Sequence, residues 1–278
     1  SKKAEQANKS IGVHIKVDTG MGRLGIQPED FISLLNNVIT CKNLKIDGLF
    51  THLSSADEED PETTHHQISI FSNVLKKLHT TNFSKMINEN NRILFHSANT
   101  AGLLRFPESR FDLVRPGISL FGSFPSSTTT SAFDVLAKEN KITKLRPVMN
   151  WKTKIIQIQT LRKGVPVSYG GRYVTKNEGT RIATIPVGYA DGLSRRLSNN
   201  MELLVKETRV KQVGTICMDM CLIDITNLPD VRMGEEVVIF GGQGKGQIKV
   251  EELATKADTI PYEILCGVGK RVPRIYIS

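Results

Sequence analysis

The sequence predicts an α/β region followed by a mainly antiparallel β domain, in a chain of 278 residues. Three observations carry this. After a first strand at Val13 to Asp18, helix and strand patterns alternate regularly from residue 26 to about 137. Near residue 138 helical spacing gives way to short strands and turns. Each of the first four strands also ends on, or just before, a polar or basic residue: Asp18 with Arg23 after it, His52, His96 and Arg115. The expected division is therefore 1–137 and 138–278.

The first strand, Val13 to Asp18, alternates with a period of two: Val13, Ile15 and Val17 share one face, and His14, Lys16 and Asp18 the other. An apolar face for helices and a polar face near the C-terminal end suit a parallel barrel strand that carries a site. Gly20 and Gly22 then allow a tight turn that delivers Arg23, whose guanidinium can grip a carboxylate or phenolate through two parallel hydrogen bonds. A second reading fits the same residues equally: a buried Lys16 paired with Asp18, and an Arg23 that only faces solvent.

Pro28-Glu29-Asp30 opens the next helix in the positions proline and acids favour, with Phe31, Leu34, Leu35 and Val38 as its apolar stripe. The second strand spans 46–52 and ends at His52. Asp60-Pro61 reads as an N-cap and first helical residue, and Ile68, Phe71, Val74, Leu75 and Leu78 continue that helix. A third strand runs from Arg92 to His96, followed by Ser97-Ala98-Asn99-Thr100 and a short helix through Leu104. A fourth covers 111–115 and stops at Pro116-Gly117. This repetition implies parallel strands joined by right-handed crossovers. Four strands are half of an eight-stranded barrel, and both edges of such a half lie open.

The second region offers strands at 151–160, 165–169, 181–187, 202–205, 210–219, 222–225 and 236–240, at the spacing of an antiparallel domain. Gly241 to Gly246 lacks the Lys-Ser/Thr ending and following helix of a phosphate loop, so it reads as a hairpin. Three segments invite chemistry: Ser168-Tyr169-Gly170-Gly171, with a phenol that acts as a base only if neighbours lower its pKa; Cys217-Met218-Asp219; and Pro261-Tyr262-Glu263.

Composition excludes other classes. The formal charge is +9, but the lysines are scattered and no basic run is interleaved with aromatics, which argues against nucleic acid. No apolar run approaches membrane-spanning length. The four cysteines, at 41, 217, 221 and 266, show no paired spacing and suit a reducing cytoplasm. The histidines form no ligand cluster, so no metal is expected.

Several of these segments together resemble one family. His14-Ile15-Lys16-Val17-Asp18-Thr19-Gly20-Met21-Gly22-Arg23-Leu24-Gly25, Thr51-His52-Leu53, His96-Ser97-Ala98-Asn99-Thr100, Val114-Arg115-Pro116-Gly117-Ile118, Ser168-Tyr169-Gly170, Ile185 to Gly192, Cys217-Met218-Asp219 and Pro261-Tyr262-Glu263 are similar, in order, to segments of alanine racemases. The resemblance implies a pyridoxal 5'-phosphate enzyme that interconverts L- and D-alanine for cell-wall peptidoglycan. It implies a (β/α)8 barrel followed by a β domain, and a head-to-tail homodimer whose active sites are shared.

By resemblance, Tyr169 is the base on the L-alanine side, reaching over from the partner subunit, and His52 and Arg115 keep its phenol reactive. Arg115 faces the cofactor ring nitrogen. Arg23 binds the cofactor phenolate and the substrate carboxylate, and Lys16 matches a lysine that the family carries as a carbamate. Thr100, the N–H groups of Gly117 and Ile118, and Tyr262 hold the phosphate. Asn99 and His96 support them, Met218 meets the substrate carboxylate, and Asp219 stands where substrate enters. Thr100 occupies a position where serine is common, and its hydroxyl still donates.

One departure is larger. The family's cofactor-linking lysine lies in a motif resembling Val-Lys-Ala-Asn-Ala-Tyr-Gly-His-Gly, which this sequence lacks. That lysine is also the second base. The expectation is therefore the C-terminal portion of such an enzyme: the second half of the barrel plus the β domain, dependent on the N-terminal barrel half and inactive alone. Alternatives are a catalytically silent binding or dimerisation fragment, and a related racemase or decarboxylase that accepts another amino acid.

Overall fold

The computed structural model describes residues 1–79, 93–140 and 144–277. They form two compact units, 1–119 with 124–144 and 120–123 with 145–278.

In the first unit a short helix α1 (Lys2–Gln6) precedes strand β1 (Ile11–Lys16). Helix α2 (Phe31–Ile39), strand β2 (Leu44–Phe50), helix α3 (Glu62–His79), strand β3 (Leu94–His96), helix α4 (Thr100–Arg105) and helix α5 (Ser127–Asn140) follow. The three strands form a parallel sheet in the order β1-β2-β3, as the strand–helix alternation requires. The alternation predicted for the first strand holds at Ile15 and Val17, while Val13 is half-buried outside the core and Asp18 of the polar face is buried too. Ile15 and Val17 are buried with Leu49 of β2, Phe31 and Leu35 of α2, and Phe71, Val74 and Leu75 of α3. The start of α3 is fixed as its sequence suggests, the Asp60 carboxylate accepting from the Glu62 N–H at 2.9 Å.

The expected fourth strand is absent: 111–115 forms no ladder. Phe111 lies at φ +46°, outside the strand region, and the Asp112 carboxylate takes the Phe95 N–H at 2.9 Å that a neighbouring strand's carbonyl would accept. Two lone backbone bonds remain, Asp112 N–H to Phe95 O and Arg115 N–H to Ala98 O, both 2.9 Å. They hold Arg115 beside the β3 end without a strand. Arg92, the expected first residue of the third strand, lies outside the described residues. Helix α5 went unforeseen because its Ser/Thr-rich start has weak helical propensity. The Ser126 hydroxyl caps it, accepting from Thr129 N–H at 3.3 Å. It runs through 137/138, and the first unit extends to Lys144.

The second unit contains β4 (Trp151–Lys154), β5 (Gln157–Leu161), β6 (Pro166–Val167), β7 (Tyr173–Val174), β8 (Thr180–Ile185), β9 (Glu202–Val205), β10 (Thr208–Val213), β11 (Cys221–Asp224), β12 (Glu236–Gln243) and β13 (Gly246–Ile248). Eight of these form one antiparallel sheet, ordered β13-β12-β9-β10-β11-β8-β5 with β4 also on β12; β6 and β7 form a separate hairpin. The expected strand 151–160 is thus two strands, β4 on β12 and β5 on β8, parted at Ile155 and Ile156. The expected 210–219 ends at Val213, because Gly214 turns the chain at φ +77°. The glycine-rich 241–246 is a hairpin between β12 and β13. Helices α6 (Val250–Ala257) and α7 (Pro261–Gly267) contribute Leu253, Ala254, Ala257 and Ile264 to the core around Trp151, Leu203 and Phe240.

Candidate active site

In the first unit the turn after β1 closes on itself. Asp18 N–H donates to Ile26 O at 2.8 Å and Ile26 N–H to Lys16 O at 2.9 Å. Gly25 at φ +124° makes that closure possible, since a Cβ there would lie 2.8 Å from the Asp18 nitrogen. The Asp18 carboxylate is buried and accepts three backbone N–H bonds, from Gly20, Met21 and Gly22, at 2.9–3.1 Å. Burial pushes its pKa up, but these donors and the Lys16 charge outweigh that and hold it below the ordinary carboxylate value. Asp18 thus shapes the turn that carries Arg23, which is exposed. The Lys16 ammonium donates to Leu24 O. Burial first, then Arg23 and Arg115, lower its pKa against the opposing pull of Asp18.

Arg115 is the hub of the strand ends. Its Nη1 donates to His96 Nδ1, and its Nη2 to Thr51 O at 2.9 Å and Ser97 O at 3.2 Å, with His52 Nδ1 at 3.4 Å. The Phe50 ring stacks on His96, centroids 5.0 Å apart, and lies 5.3 Å from the guanidinium carbon. Burial lowers the pKa of Arg115. Burial and then the Arg115 charge lower both histidines, with His14 adding to the effect on His96, which falls to about 4. Both imidazoles are therefore neutral near neutral pH, with lone pairs to offer the guanidinium. Buried Gln67 of α3 steadies the segment after β2, donating to His52 O at 3.1 Å and accepting from Ser54 N–H at 2.9 Å.

A hydroxyl pair lies beyond. Buried Thr100 Oγ1 accepts from Gly117 N–H at 2.9 Å and sits 3.3 Å from Ser119 Oγ. Ile118 opens a 3-10 turn, Ile118–Phe121. Asn99 caps α4, its Oδ1 accepting from Gly102 N–H at 2.9 Å while its Nδ2 donates to Leu53 O at 3.2 Å.

The other expected residues belong to the second unit. Tyr169 follows Ser168, whose φ of +65° and ψ of −175° lie in a region normally reserved for glycine. Reciprocal bonds hold that conformation: Ser168 Oγ donates to Thr215 O at 2.6 Å, and Thr215 Oγ1 to Tyr169 O at 2.8 Å. The Tyr169 side chain is 72% exposed. Met218 and Asp219 occupy an exposed turn between β10 and β11, closed by Cys217 N–H to Met220 O at 2.9 Å. Tyr262 lies in the first turn of α7.

The structure thus brings Lys16, Asp18, His52, His96 and Arg115 to one rim, with Thr100, Gly117 and Ile118 after it. Sequence reading missed Ser119, Phe50 and the carbonyls of Thr51 and Ser97. Ser119 lies two residues past Gly117, so a search for hydroxyls flanking that glycine finds it. Carbonyl roles leave no trace in side-chain identity. Among the described residues no three His, Cys, Asp or Glu side chains gather as a metal-ligand set, and no helix is long and apolar enough to cross a membrane.

Comparison with known proteins decides the family. Residues 1–125 match the family described as "Alanine racemase, N-terminal domain", and 148–276 the one described as "Alanine racemase, C-terminal domain". A protein named alanine racemase from Halothermothrix orenii is 44% identical over 264 residues, which are 95% of this chain and 65% of that protein. One from Desulforamulus reducens is 40% identical over 99% of this chain and 69% of its own length. The chain belongs to the alanine racemase family. Solved alanine racemases from Streptomyces lavendulae and Clostridium difficile 630 superpose with TM-scores of 0.86 and 0.83, at 32% and 34% identity. They cover 100% and 99% of this chain, which spans 69% and 67% of theirs. The chain holds sequence from both family domains, more than the term C-terminal portion conveys, and spans about two thirds of these relatives. The fold is an N-terminal barrel-type domain with an antiparallel β domain, and the family is pyridoxal-phosphate-dependent.

The residues present suit that cofactor at two of its ends. Thr100 and Ser119 supply a pair of hydroxyl donors for a phosphate, with Thr100 Oγ1 oriented by the Gly117 N–H that it accepts. A Cβ at Gly117 would meet nothing within 4 Å, so the backbone is open to an approaching group. Arg115, anchored through both terminal nitrogens, offers a fixed cation.

Proposed function

We propose that this chain carries one base and most of the cofactor and substrate contacts of an enzyme that interconverts L- and D-alanine. The observation that carries the reading is Arg115, tied to His96, His52 and two carbonyls at a rim shared by Lys16 and Asp18. Bound pyridoxal phosphate supplies an electron sink that loosens the α-hydrogen of an attached amino acid. By the family resemblance, Thr100, Gly117, Ile118 and Tyr262 would hold its phosphate, with Ser119 beside Thr100, and Arg115 would serve its ring nitrogen. A guanidinium there keeps its own proton, which weakens the sink and favours proton return over side reactions. Asn99 positions α4 and so Thr100.

Arg23, carried on the turn that Asp18 shapes, pairs with the substrate carboxylate, as does the Met218 N–H. Asp219 stands at the entrance. Lys16, in carbamate form, gives Arg23 an anionic partner. Tyr169 moves the α-proton through its phenol oxygen on the L-alanine side, and in a homodimer it serves the partner's site. Arg115 supplies the neighbouring positive charge that a phenol needs to act as a base, and neutral His52, set against that guanidinium, supplies a hydrogen-bonding partner.

The second base, a lysine, has no counterpart motif in these 278 residues. Together with the two-thirds span of the relatives, this supports a second base supplied from outside these residues, to a chain that itself holds sequence from both family domains. The test adds pyridoxal phosphate to the chain alone, and then to the chain joined by the N-terminal segment of a relative. Absorbance of lysine-bound cofactor and L-to-D alanine turnover are expected only in the second sample. Turnover there of basic amino acids alone would overturn the alanine assignment.

A further inference from the structure

Both ring nitrogens of His96 are occupied. A guanidinium has no acceptor, so Arg115 Nη1 donates and His96 Nδ1 accepts. Neutral imidazole carries one ring proton, which must then sit on Nε2. His14 Nδ1 lies 2.8 Å from that nitrogen. If His14 were the donor, His96 would accept at both nitrogens and be an imidazolate. The order of donors is therefore set from the centre outward: Arg115 to His96, and His96 to His14, which keeps its own proton on Nε2.

The strand pairing is built to put His14 there. In the β1–β2 ladder Val13 pairs with Ile46 but His14 with Gly48, so Asp47 is an extra residue. Such bulges re-aim side chains. A Cβ at Gly48 would lie 2.3 Å from His14 Nδ1, so only glycine leaves room for the imidazole. Gly12 does the same for the displaced residue, since a Cβ there would fall 1.6 Å from Asp47 Oδ2. A bulge and Gly48 thus converge on one side chain, which is exposed and adds nothing to the core, while Gly12 makes room for the bulged Asp47.

We infer that His14 is a positioning residue: it accepts the His96 Nε2–H and thereby holds the His96 Nδ1 lone pair on the Arg115 guanidinium. Its consequence for catalysis rests on the function proposed above; the relay itself does not.

The test uses the full chain with 15N-labelled histidine at neutral pH. Long-range proton–nitrogen spectra are expected to show both His14 and His96 with the proton on Nε2, and a slowly exchanging His96 Nε2 proton. His14→Leu removes the acceptor and speeds that exchange about tenfold, the factor one ordinary hydrogen bond supplies. Gln offers an amide oxygen, so His14→Gln restores slow exchange. Gly48→Ala, acting from the other strand, reproduces the loss. A His96 proton found on Nδ1, or exchange unchanged in His14→Leu, overturns the relay. In the reconstituted protein His14→Leu lowers kcat more than it raises KM, and His14→Gln recovers it. If reconstituted wild type fails to racemise, the proposed function falls while the spectra still decide the relay. If it racemises and His14→Leu equals it, the positioning role falls.

Discussion

The two units position their functional side chains by opposite means. In the first, side chains hold one another: Arg115 is gripped by two imidazoles and two carbonyls, and Asp18 gathers three N–H groups around its carboxylate. In the second, Tyr169 projects from a strained backbone turn clamped by Ser168 and Thr215, its own side chain largely exposed. A group that must stay charged and fixed suits a web of acceptors. A phenol that must reach a reacting atom suits a rigid turn with a free tip.

The comparison predicts unequal damage. Arg115→Ala leaves the His96 nitrogen and the Thr51 and Ser97 carbonyls without their donor, and should cost about 2–4 kcal/mol of stability, several unmade bonds' worth, as read by urea unfolding. Cofactor affinity should fall with it. If stability is unchanged, the web contributes nothing.

The next largest effect is in pH. The folded pKa of His96 is depressed to about 4 from an ordinary 6.5, and that of His52 shifts in the same direction. The unfolded chain therefore binds more protons below 6.5. Stability is fully present above that value and is lost as pH falls toward about 4. His96→Asn, which keeps an acceptor for Arg115 without a titrating ring, should flatten this slope. An unaltered slope would mean that other groups dominate acid sensitivity.

The smallest effect belongs to the clamp. Thr215→Val removes the bond to Tyr169 O and should cost about 1 kcal/mol, with a several-fold loss of turnover in the reconstituted enzyme. Loss of turnover as deep as that of Tyr169→Phe would show that the turn does more than aim the phenol.

Much of this was legible from sequence because period-two alternation in β1 separates core from site, and because functional residues of parallel strands collect at C-terminal ends. What escaped depends on three dimensions. The 111–115 strand failed through a side chain, Asp112, replacing a strand partner, together with the positive φ of Phe111. His14 read only as one of three residues on the polar face of the first strand, because the bulge that re-aims it lies in the pairing of β1 with β2. The clamp on Tyr169 rests on carbonyls, which every residue possesses.

The most direct measurement of the central claim is α-hydrogen exchange into heavy water by the reconstituted Tyr169→Phe variant, with L- and D-alanine assayed separately. If the phenol is the base on one face and a lysine from outside these residues serves the other, exchange from L-alanine collapses while exchange from D-alanine persists. Equal loss from both, or undiminished exchange from L-alanine, would contradict it.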